Sequence, residues 1–527
     1  MDPKNHLGIY LLLISLVGLF ACTSADDHLP TTSHFLDGVN PRDQEYPGGR
    51  SAGSMIVYTP AFGDSTGTNQ WGTEAVVQQG IVLRVGGNNS AIPEDGWVLS
   101  GHGEAANWIA REVHPGMAIR YDQDSVYGET GPASRERYVH YLLDHPYGQP
   151  DAVKRDESNR LLRQYQTTRD VILLDSSLHL ALDYQYSGAL PYFGIHGVWW
   201  DIRDLDSASM RQSVIHMVGL GIQVVFPQVI FNGYAIYPDA DPDLPQDPRF
   251  TGWDPLGYLM ELTKEYPISV VPWVWVYYVG KNNSPLAQNK PDWLATSRTG
   301  HHYSDMEPGY HFFCPSEQAV DDFWIEVYRH MFEKYGIDAI QLDYIRYPVS
   351  IPWEQDFCYC DRCTGLFKKE FGVDPSLVTP SDSTMWANWN NYRIQQINRM
   401  VRHLHEAFPQ IRIGVDVFPD RESSLVSKKQ DWPYWNESGW VQALFPMSYT
   451  SDTATVRTDA RYLKSQAQPG TLTLLGLGPY LQYDALTLLQ QIDIISAERL
   501  DGFVLFEWNS LTPEMKRALK IGPFRYY

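Results

Sequence analysis

The feature that most constrains the fold is a regular alternation of apolar runs and amphipathic segments that begins near Phe193. Eight runs have the length and composition of buried parallel strands, and helical periodicity separates them. They are residues 194–201, 222–231, 268–276, 337–343, 411–418, 441–449, 471–477 and 502–506. Strict alternation of strands and helices indicates a parallel sheet, which eight strands with right-handed crossovers close into a (β/α)8 TIM barrel. A doubly wound open sheet is the alternative.

The rest of the chain is predicted to form a smaller domain in front of the barrel. The chain has 527 residues, of which residues 191–527 are assigned to the barrel. Residues 53–190 combine short apolar runs with turns rich in Gly and Asn, which predicts a β-rich N-terminal domain. Its last third is expected to hold a helix at residues 155–165 and strands at residues 171–174 and 178–184.

The amino terminus has the pattern of an export signal. A basic start precedes an apolar run at residues 7–21, which is short for a membrane span and typical of a signal-peptide core. Cys22 ends a Leu-Phe-Ala-Cys sequence that resembles a bacterial lipobox, so residues 1–22 predict a signal peptide and a lipidated Cys22. Secretion with cleavage near Ala21 is the alternative. Residues 23–52 are polar and predict a linker. The expected location is the cell envelope, with a lipid anchor as the only membrane attachment.

Charge and motifs exclude several function classes. The chain carries 41 basic and 63 acidic residues, a net charge of −22, which repels phosphate backbones and argues against a nucleic-acid partner. The Gly-x-Gly-x-x-Gly, P-loop and His-Glu-x-x-His motifs are absent from the sequence, so nucleotide-binding and zinc-protease functions lack support. A Gly-x-Ser-x-Gly match occurs at residues 49–53, but it lies in and beside the polar linker without the strand and helix that the nucleophile motif needs, so a serine hydrolase also lacks support.

Carboxylates stand at the ends of several predicted strands, where α/β barrels place their chemistry. Hydrolysis of a glycosidic bond requires one carboxyl group to protonate the leaving oxygen and another to attack or stabilise the cationic centre. We predict that Asp343 acts together with Asp416 or Glu507. The predicted substrate-binding residues share the same strand ends; they are Trp199, Asp201, Trp275, Tyr344, Arg346, Tyr449 and Trp508.

Two function classes fit this pattern. The first is a glycoside hydrolase that uses these carboxylates. The second is a non-catalytic glycan-binding surface lipoprotein, which would depend on aromatic rings more than on acids. Carboxylates at the ends of strands four, five and eight favour the enzyme.

Residues 193–527 resemble the family-10-like glycosyl hydrolases, which are often bacterial lipoproteins. The resembling segments are residues 197–199, 232–237, 254–256, 337–348, 414–418 and 431–450. The resemblance implies a (β/α)8 fold, an envelope location and hydrolysis of a glycan, with bacterial cell-wall glycan as one substrate class. It also implies that Asp343 is the leading catalytic candidate, while Asp416 matches the Asp-Val-Phe pattern of a related barrel family.

The cysteines form a second pattern. Besides Cys22 the sequence contains Cys314, Cys358, Cys360 and Cys363. A Cys-x-Cys-x2-Cys knuckle with one remote cysteine can complete a closed tetrahedral zinc site, whose role would be structural. The arrangement resembles the zinc cluster of family 42 β-galactosidases. Two disulfides, favoured by an oxidising compartment, are the alternative.

Overall fold

The structure is a computed structural model that describes residues 30–40, 55–68, 72–481 and 483–527. The predicted signal peptide and Cys22 lie outside the described residues. Two parts follow one another along the chain: an N-terminal region of two sheets and four helices, and a closed barrel.

The described residues of the N-terminal region form eight strands. They are β1 (Thr31–Phe35), β2 (Gly38–Asn40), β3 (Met55–Tyr58), β4 (Gly72–Gln78), β5 (Ile81–Val85), β6 (Gly96–His102), β7 (Ile119–Tyr121) and β8 (Ser125–Glu129). A five-stranded sheet has the order β2-β3-β6-β4-β5, and a three-stranded sheet has the order β1-β8-β7. Helix α1 (Glu104–Glu112) buries Trp108 and Ile109 in the core between them. The expected β-rich region is confirmed.

The predicted linker is wrong over residues 31–40, because these residues form two strands of the folded region. β1 pairs antiparallel with β8, and β2 pairs parallel with β3. The ring of His34 stacks on Trp108, and Leu36 is 1% exposed. Backbone pairing and a few buried side chains therefore hold this segment, although its composition is polar.

Three helices complete the N-terminal region: α2 (Pro132–Asp144), α3 (Ala152–Thr168) and α4 (Val171–Ser187). The helix expected at residues 155–165 is confirmed within α3, but the strands expected at residues 171–174 and 178–184 are wrong, because both belong to α4. Asp170 caps this helix by accepting a hydrogen bond from the backbone N–H of Ile172. Periodicity alone does not distinguish a short apolar run in a strand from one in a buried helix.

The barrel is built from parallel strands that follow one another along the chain. The remaining strands are β9 (Ile195–Trp200), β10 (Val224–Phe231), β11 (Tyr234–Ala235), β12 (Ser269–Val270), β13 (Trp273–Trp275), β14 (Tyr278–Gly280), β15 (His311–Phe312), β16 (Ala339–Asp343), β17 (Arg412–Val417), β18 (Ala443–Ser448), β19 (Leu472–Leu477) and β20 (Gly502–Leu505). The ring runs β9-β10-β13-β16-β17-β18-β19-β20, and β20 pairs parallel with β9. All eight predicted strands are confirmed, and the closing pair excludes the open sheet. The third predicted strand is split into β12 and β13. Pro272 lies between them and has no N–H to donate, so it interrupts the pairing of the strand.

Helices surround the barrel on its outer face. They are α5 (Ser207–Leu220), α6 (Pro255–Leu262), α7 (Pro285–Asn289), α8 (Gln318–Tyr335), α9 (Asp361–Phe371), α10 (Ser383–Ala407), α11 (Arg421–Lys428), α12 (Trp432–Glu437), α13 (Thr453–Gln466), α14 (Ala485–Ala497) and α15 (Pro513–Ile521). Ser316 is a plausible cap for α8 by sequence, but the carboxylate of Glu317 accepts the hydrogen bond from Ala319 instead. Among the described residues, no helix is long and apolar enough to cross a membrane.

The last helix of the N-terminal region packs against the barrel. The hydroxyl of Tyr186 on α4 donates to Glu514 at 2.6 Å, and Arg517 donates to Asp183 at 2.8 Å. Both partners on the barrel side belong to α15, which follows the closing strand. The N-terminal region is therefore fastened to the side of the barrel where β20 meets β9.

Candidate active site

The carboxyl ends of the barrel strands surround a cavity of about 870 Å³. It is lined by all of the predicted catalytic and binding residues except Trp508; those on the wall are Trp199, Asp201, Trp275, Asp343, Tyr344, Arg346, Asp416, Tyr449 and Glu507. Trp508 lies instead in the interior, 6% exposed, with Nζ of Lys516 3.9 Å from its ring centre. The chain turns into a short 3₁₀ segment after β20, and this turn directs the indole away from the cavity.

Asp343 is the last residue of β16 and is held by two hydrogen bonds. Its Oδ2 accepts from the indole N–H of Trp273 at 3.1 Å, and its Oδ1 accepts from the backbone N–H of Tyr344 at 2.6 Å. Burial raises the pKa of Asp343 to about 6, while these two donors and the nearby Arg346 charge oppose the rise. Tyr344 has a φ of 51°, a left-handed conformation that a residue with a side chain adopts at a cost and that often accompanies functional sites.

Asp416 lies beside Asp343 on the neighbouring strand. Leu342 pairs with Val415 in the parallel ladder, and each aspartate directly follows one of these two residues. The aspartates therefore stand at equivalent positions of strands that lie about 4.8 Å apart. Asp416 is 2% exposed, and its buried Oδ1 has no hydrogen-bond partner among the described residues. Burial and then the negative charge of Asp343 raise the pKa of Asp416 well above its ordinary value.

Glu507 follows β20 on another part of the cavity wall. Its Oε2 accepts a hydrogen bond from Asn509 at 2.9 Å, and its Oε1 lies 3.4 Å from the guanidinium of Arg203. Arg203 also forms an ion pair with Asp201 at 3.2 Å. Asp201 and Glu507 therefore share one cation, an environment different from that of the two aspartates.

Aromatic rings form much of the remaining wall. Trp275 packs edge-on against Tyr344 at 5.3 Å between ring centres, and Tyr449 lies 5.3 Å from Phe506. The indole N–H of Trp275 is buried without an acceptor among the described residues. Rings of this kind can stack on sugar faces, and an unpaired indole N–H can donate to a sugar hydroxyl.

Several wall residues were missed by the sequence interpretation; they include Gln228, Trp273, Phe418, Asp420, Lys428, Asp459 and Tyr480. Trp273 carried a usable signal, because it alternates with Trp275 on one strand and both side chains had to face the same side. The alternation Trp-Val-Trp therefore predicted two inward rings where only one was named. Lys428 is the last residue of a helix and does not follow a predicted strand, so its position in the sequence gave no sign that it lines the cavity.

A buried ion pair joins two loops of the wall. Arg346 donates to Oε1 of Glu307 at 2.6 Å, and Glu307 also accepts from the backbone N–H of Val349 at 2.8 Å. The side chains of Arg346 and Glu307 are 7% and 12% exposed. The guanidinium lies 4.8 Å from the ring centre of Tyr344, so this pair supports the residue that follows Asp343.

The four cysteines of the second pattern lie together. The sulfur atoms of Cys314, Cys358, Cys360 and Cys363 all lie within 4.8 Å of one another. The sulfur of Cys314 is 3.2 Å from that of Cys363 and 3.5 Å from that of Cys360, far longer than the disulfide bond of about 2.05 Å. Tetrahedral zinc with Zn–S bonds of about 2.3 Å places its sulfurs about 3.8 Å apart, so the four thiols fit such an ion. The cluster links the chain after β15 to the loop and helix after β16.

The protein is an α/β-barrel protein with an acidic cavity. Its eight parallel strands close into a barrel, and buried carboxylates and aromatic rings surround the mouth at their carboxyl ends. The chain belongs to the glycosyl hydrolase-like 10 family, whose model matches residues 195–472.

The similar proteins are distant. Glycosyl hydrolase YngK of Bacillus subtilis (strain 168) is 21% identical over 241 residues, which cover 42% of this chain and 42% of that protein. The solved catalytic domain of β-amylase from Paenibacillus polymyxa is 12% identical with a TM-score of 0.44, over 62% of this chain and 95% of that chain. The β-galactosidase from the psychrophilic Marinomonas ef1 is 11% identical with a TM-score of 0.45, over 62% of this chain and 58% of that chain.

Proposed function

We propose that the protein is a glycoside hydrolase that cleaves O-glycosyl bonds in a polysaccharide or cell-wall glycan. The observation that carries this proposal is the pair of buried carboxyl groups, Asp343 and Asp416, at equivalent positions of neighbouring strands in one cavity. Their surroundings differ, as the acid and the base or nucleophile of a glycosidase require. Membership of a glycosyl hydrolase-like family supports the same conclusion.

The two aspartates are assigned separate roles. Asp343 accepts two N–H hydrogen bonds, which favour its ionised form, and with a pKa of about 6 it is charged at neutral pH. It is the group that attacks or stabilises the cationic sugar. Asp416 lacks such donors and faces the charge of Asp343, so it keeps its proton and donates it to the leaving oxygen. Glu507 is the alternative acid.

The substrate is a glycan, which the aromatic wall would hold by stacking. Trp275, Tyr344 and Tyr449 supply ring surface beside the carboxyl groups. We also propose that Cys22 carries a lipid that attaches the protein to the cell envelope, on the basis of the apolar run before it. The net charge of −22 argues against a nucleic-acid partner.

We propose zinc as the ion of the cysteine cluster. The donor set of four thiolates leaves no open position for water, so the metal would have a structural role. Bound there, it would fasten the segment after β15 to the segment after β16. It would stabilise the loop wall and take no part in bond cleavage.

The function is tested with a panel of glycans that includes peptidoglycan strands stripped of peptides. New reducing ends should appear with the unaltered protein and not with Asp343→Asn. The variant Asp338→Asn is a matched control, because Asp338 lies exposed just before the same strand and forms its ion pair with Arg412, outside the cavity wall. Binding of glycans without any turnover would support a non-catalytic glycan-binding protein instead.

A further inference from the structure

Among the described residues of the cavity wall, one cation forms no ion pair with a carboxylate. Lys428, the last residue of α11, lines the cavity, and its Nζ lies 4.0 Å from the ring centre of Phe418. The Nζ of Lys428 donates a hydrogen bond to a neutral group, the hydroxyl of Ser427, at 2.9 Å, and no described carboxylate forms an ion pair with it. The other cations of the wall differ: Arg346 is paired with Glu307, and Arg203 with Asp201 and Glu507.

The position of Lys428 is fixed by the loops that carry the two aspartates. Its backbone carbonyl accepts a hydrogen bond from Tyr347 at 3.0 Å, in the loop after β16. On the other side, Gln430 accepts from the N–H of Phe418 at 3.1 Å and donates to the carbonyl of Asp416 at 3.3 Å. Backbone contacts to both strand ends thus hold the end of α11 beside the carboxyl groups, which is how a binding residue is kept in place.

The surroundings of Lys428 leave its charge available to a ligand. Burial and then the positive charge of Arg346 lower the pKa of Lys428 to about 8, while the negative charge of Glu307, which is paired with Arg346, opposes the fall, so the ammonium group is mostly protonated at neutral pH. A half-buried ammonium without an anion is less stable than one that is paired. An anion that entered the cavity would therefore gain a charge-assisted hydrogen bond there.

We propose that Lys428 forms a subsite for a carboxylate carried by the sugar, so that the substrate is an acidic glycan. This inference rests on the proposed glycosidase function and specifies its substrate class. A singly charged carboxylate suits one cation that has no ion pair. A more highly charged group would be repelled more strongly by the acids elsewhere in the cavity, such as Asp420 and Asp459. A uronic acid residue and a sugar bearing a carboxylate on an ether side chain both have this chemistry.

The experiment compares acidic glycans with the same glycans after chemical reduction of their carboxyl groups to alcohols. The probes are a uronic acid oligosaccharide and peptide-free peptidoglycan strands, which separate the two sources of carboxylate. For the unaltered protein, KM for the acidic form of at least one probe should be about tenfold lower than for its reduced form. In Lys428→Met this difference should disappear through a higher KM for the acidic form, with kcat nearly unchanged. Lys428→Arg should retain it.

The control is Lys516→Met. Lys516 also places its Nζ over an aromatic ring, at 3.9 Å from Trp508, but it lies outside the cavity wall. This variant should keep the full preference for the carboxylated form. Equal KM values for acidic and reduced probes in the unaltered protein, an unchanged preference in Lys428→Met, or better cleavage of a sulfated glycan than of a carboxylated one would each overturn the proposal.

Failure of the proposed glycosidase function can be distinguished from failure of the Lys428 subsite. If no glycan is cleaved, calorimetric titration with the acidic and reduced oligosaccharides still measures the subsite. Tighter binding of the acidic form that is lost in Lys428→Met supports the subsite without catalysis. Equal binding of both forms, with cleavage of neutral glycans, leaves the glycosidase function standing and excludes the acidic substrate.

Discussion

Trp273 donates its indole N–H to Asp343 from the neighbouring barrel strand, at a distance of 3.1 Å. Asp416, one strand further on, receives no such hydrogen bond on its buried Oδ1. Two carboxyl groups of the same residue type therefore meet different surroundings in one cavity. The difference arises from the indole on β13 together with the backbone N–H of Tyr344, and it separates the proposed roles of the two acids.

Asp343→Asn is expected to lower kcat by about 10³-fold or more and to leave glycan binding near normal. The reason is that an ionised carboxylate acts mainly in the transition state. The amide is close in size to the carboxylate, so the fold should be unaffected. Steady-state kinetics and equilibrium binding on the same glycan test this expectation. Near-normal kcat in the variant would remove Asp343 from the catalytic machinery.

The same substitution should stabilise the protein at high pH. The pKa of Asp343 rises from 3.8 to about 6 on folding, so between these values the folded chain binds more protons there than the unfolded chain. The free energy of unfolding therefore decreases as pH rises through this window, by on the order of 3 kcal/mol from this group. Asp343→Asn should raise Tm at pH 8 and leave it unchanged near pH 4. A variant equally stable as the parent at both pH values would contradict this.

Activity should have an acidic limb set by Asp343. As pH falls through about 6, Asp343 takes up a proton and loses the charge that the reaction needs, so kcat/KM should decrease. On the alkaline side, loss of the Asp416 proton should decrease kcat/KM again, which gives a bell-shaped profile. An acidic limb centred near pH 4 would show that the essential base is less buried than Asp343.

The effect on turnover of removing the proposed acid should depend on the leaving group of the substrate. Asp416→Ala is expected to lower kcat by about 10²–10⁴-fold for natural glycans, and far less for aryl glycosides whose leaving group needs no proton. Glu507→Ala is the comparison, because Glu507 is the alternative acid. If only Glu507→Ala spares the aryl substrates, the proton donor is Glu507.

Cys360→Ser should lower zinc content and Tm together, because a structural metal links folding to metal binding. Activity should decrease only as far as the wall beside Asp343 is displaced. Metal analysis of the purified protein is the direct measurement, with Cys22→Ser as a control that keeps all four cluster thiols. Protein without zinc, with thiols that react only after reduction, would show that the cysteines form disulfides.

Glu307→Gln should destabilise the protein by about 3 kcal/mol, because it leaves the guanidinium of Arg346 buried without its carboxylate. The double variant Glu307→Gln with Arg346→Met removes both charges and should recover much of that loss. Chemical unfolding of the parent, both single variants and the double variant measures the coupling between the two residues. Additive effects would mean that the ion pair contributes little.

The strands of the barrel were predictable because a strand covered on both faces must be apolar along its length, as residues 502–506 are. The catalytic candidates followed from position, since Asp343 ends such a run, Asp416 lies near the end of one and Glu507 directly follows one. Contacts between distant segments carry no local pattern, so Trp273 as a partner of Asp343 and Lys428 as a wall residue were not found. Residues 171–174 and 178–184 of α4 were mistaken for strands because their apolar positions fit either structure.

The pairing of Gly502 on β20 with Ile195 on β9 brings the last strand of the chain next to the first strand of the barrel. The barrel therefore cannot close until β20 has been synthesised. Until then β9 and β19 each have an open edge to which a strand from another copy can pair. Strand β20 thus acts as a safeguard against aggregation, and a chain shortened before β20 should assemble with itself instead of remaining a monomeric barrel.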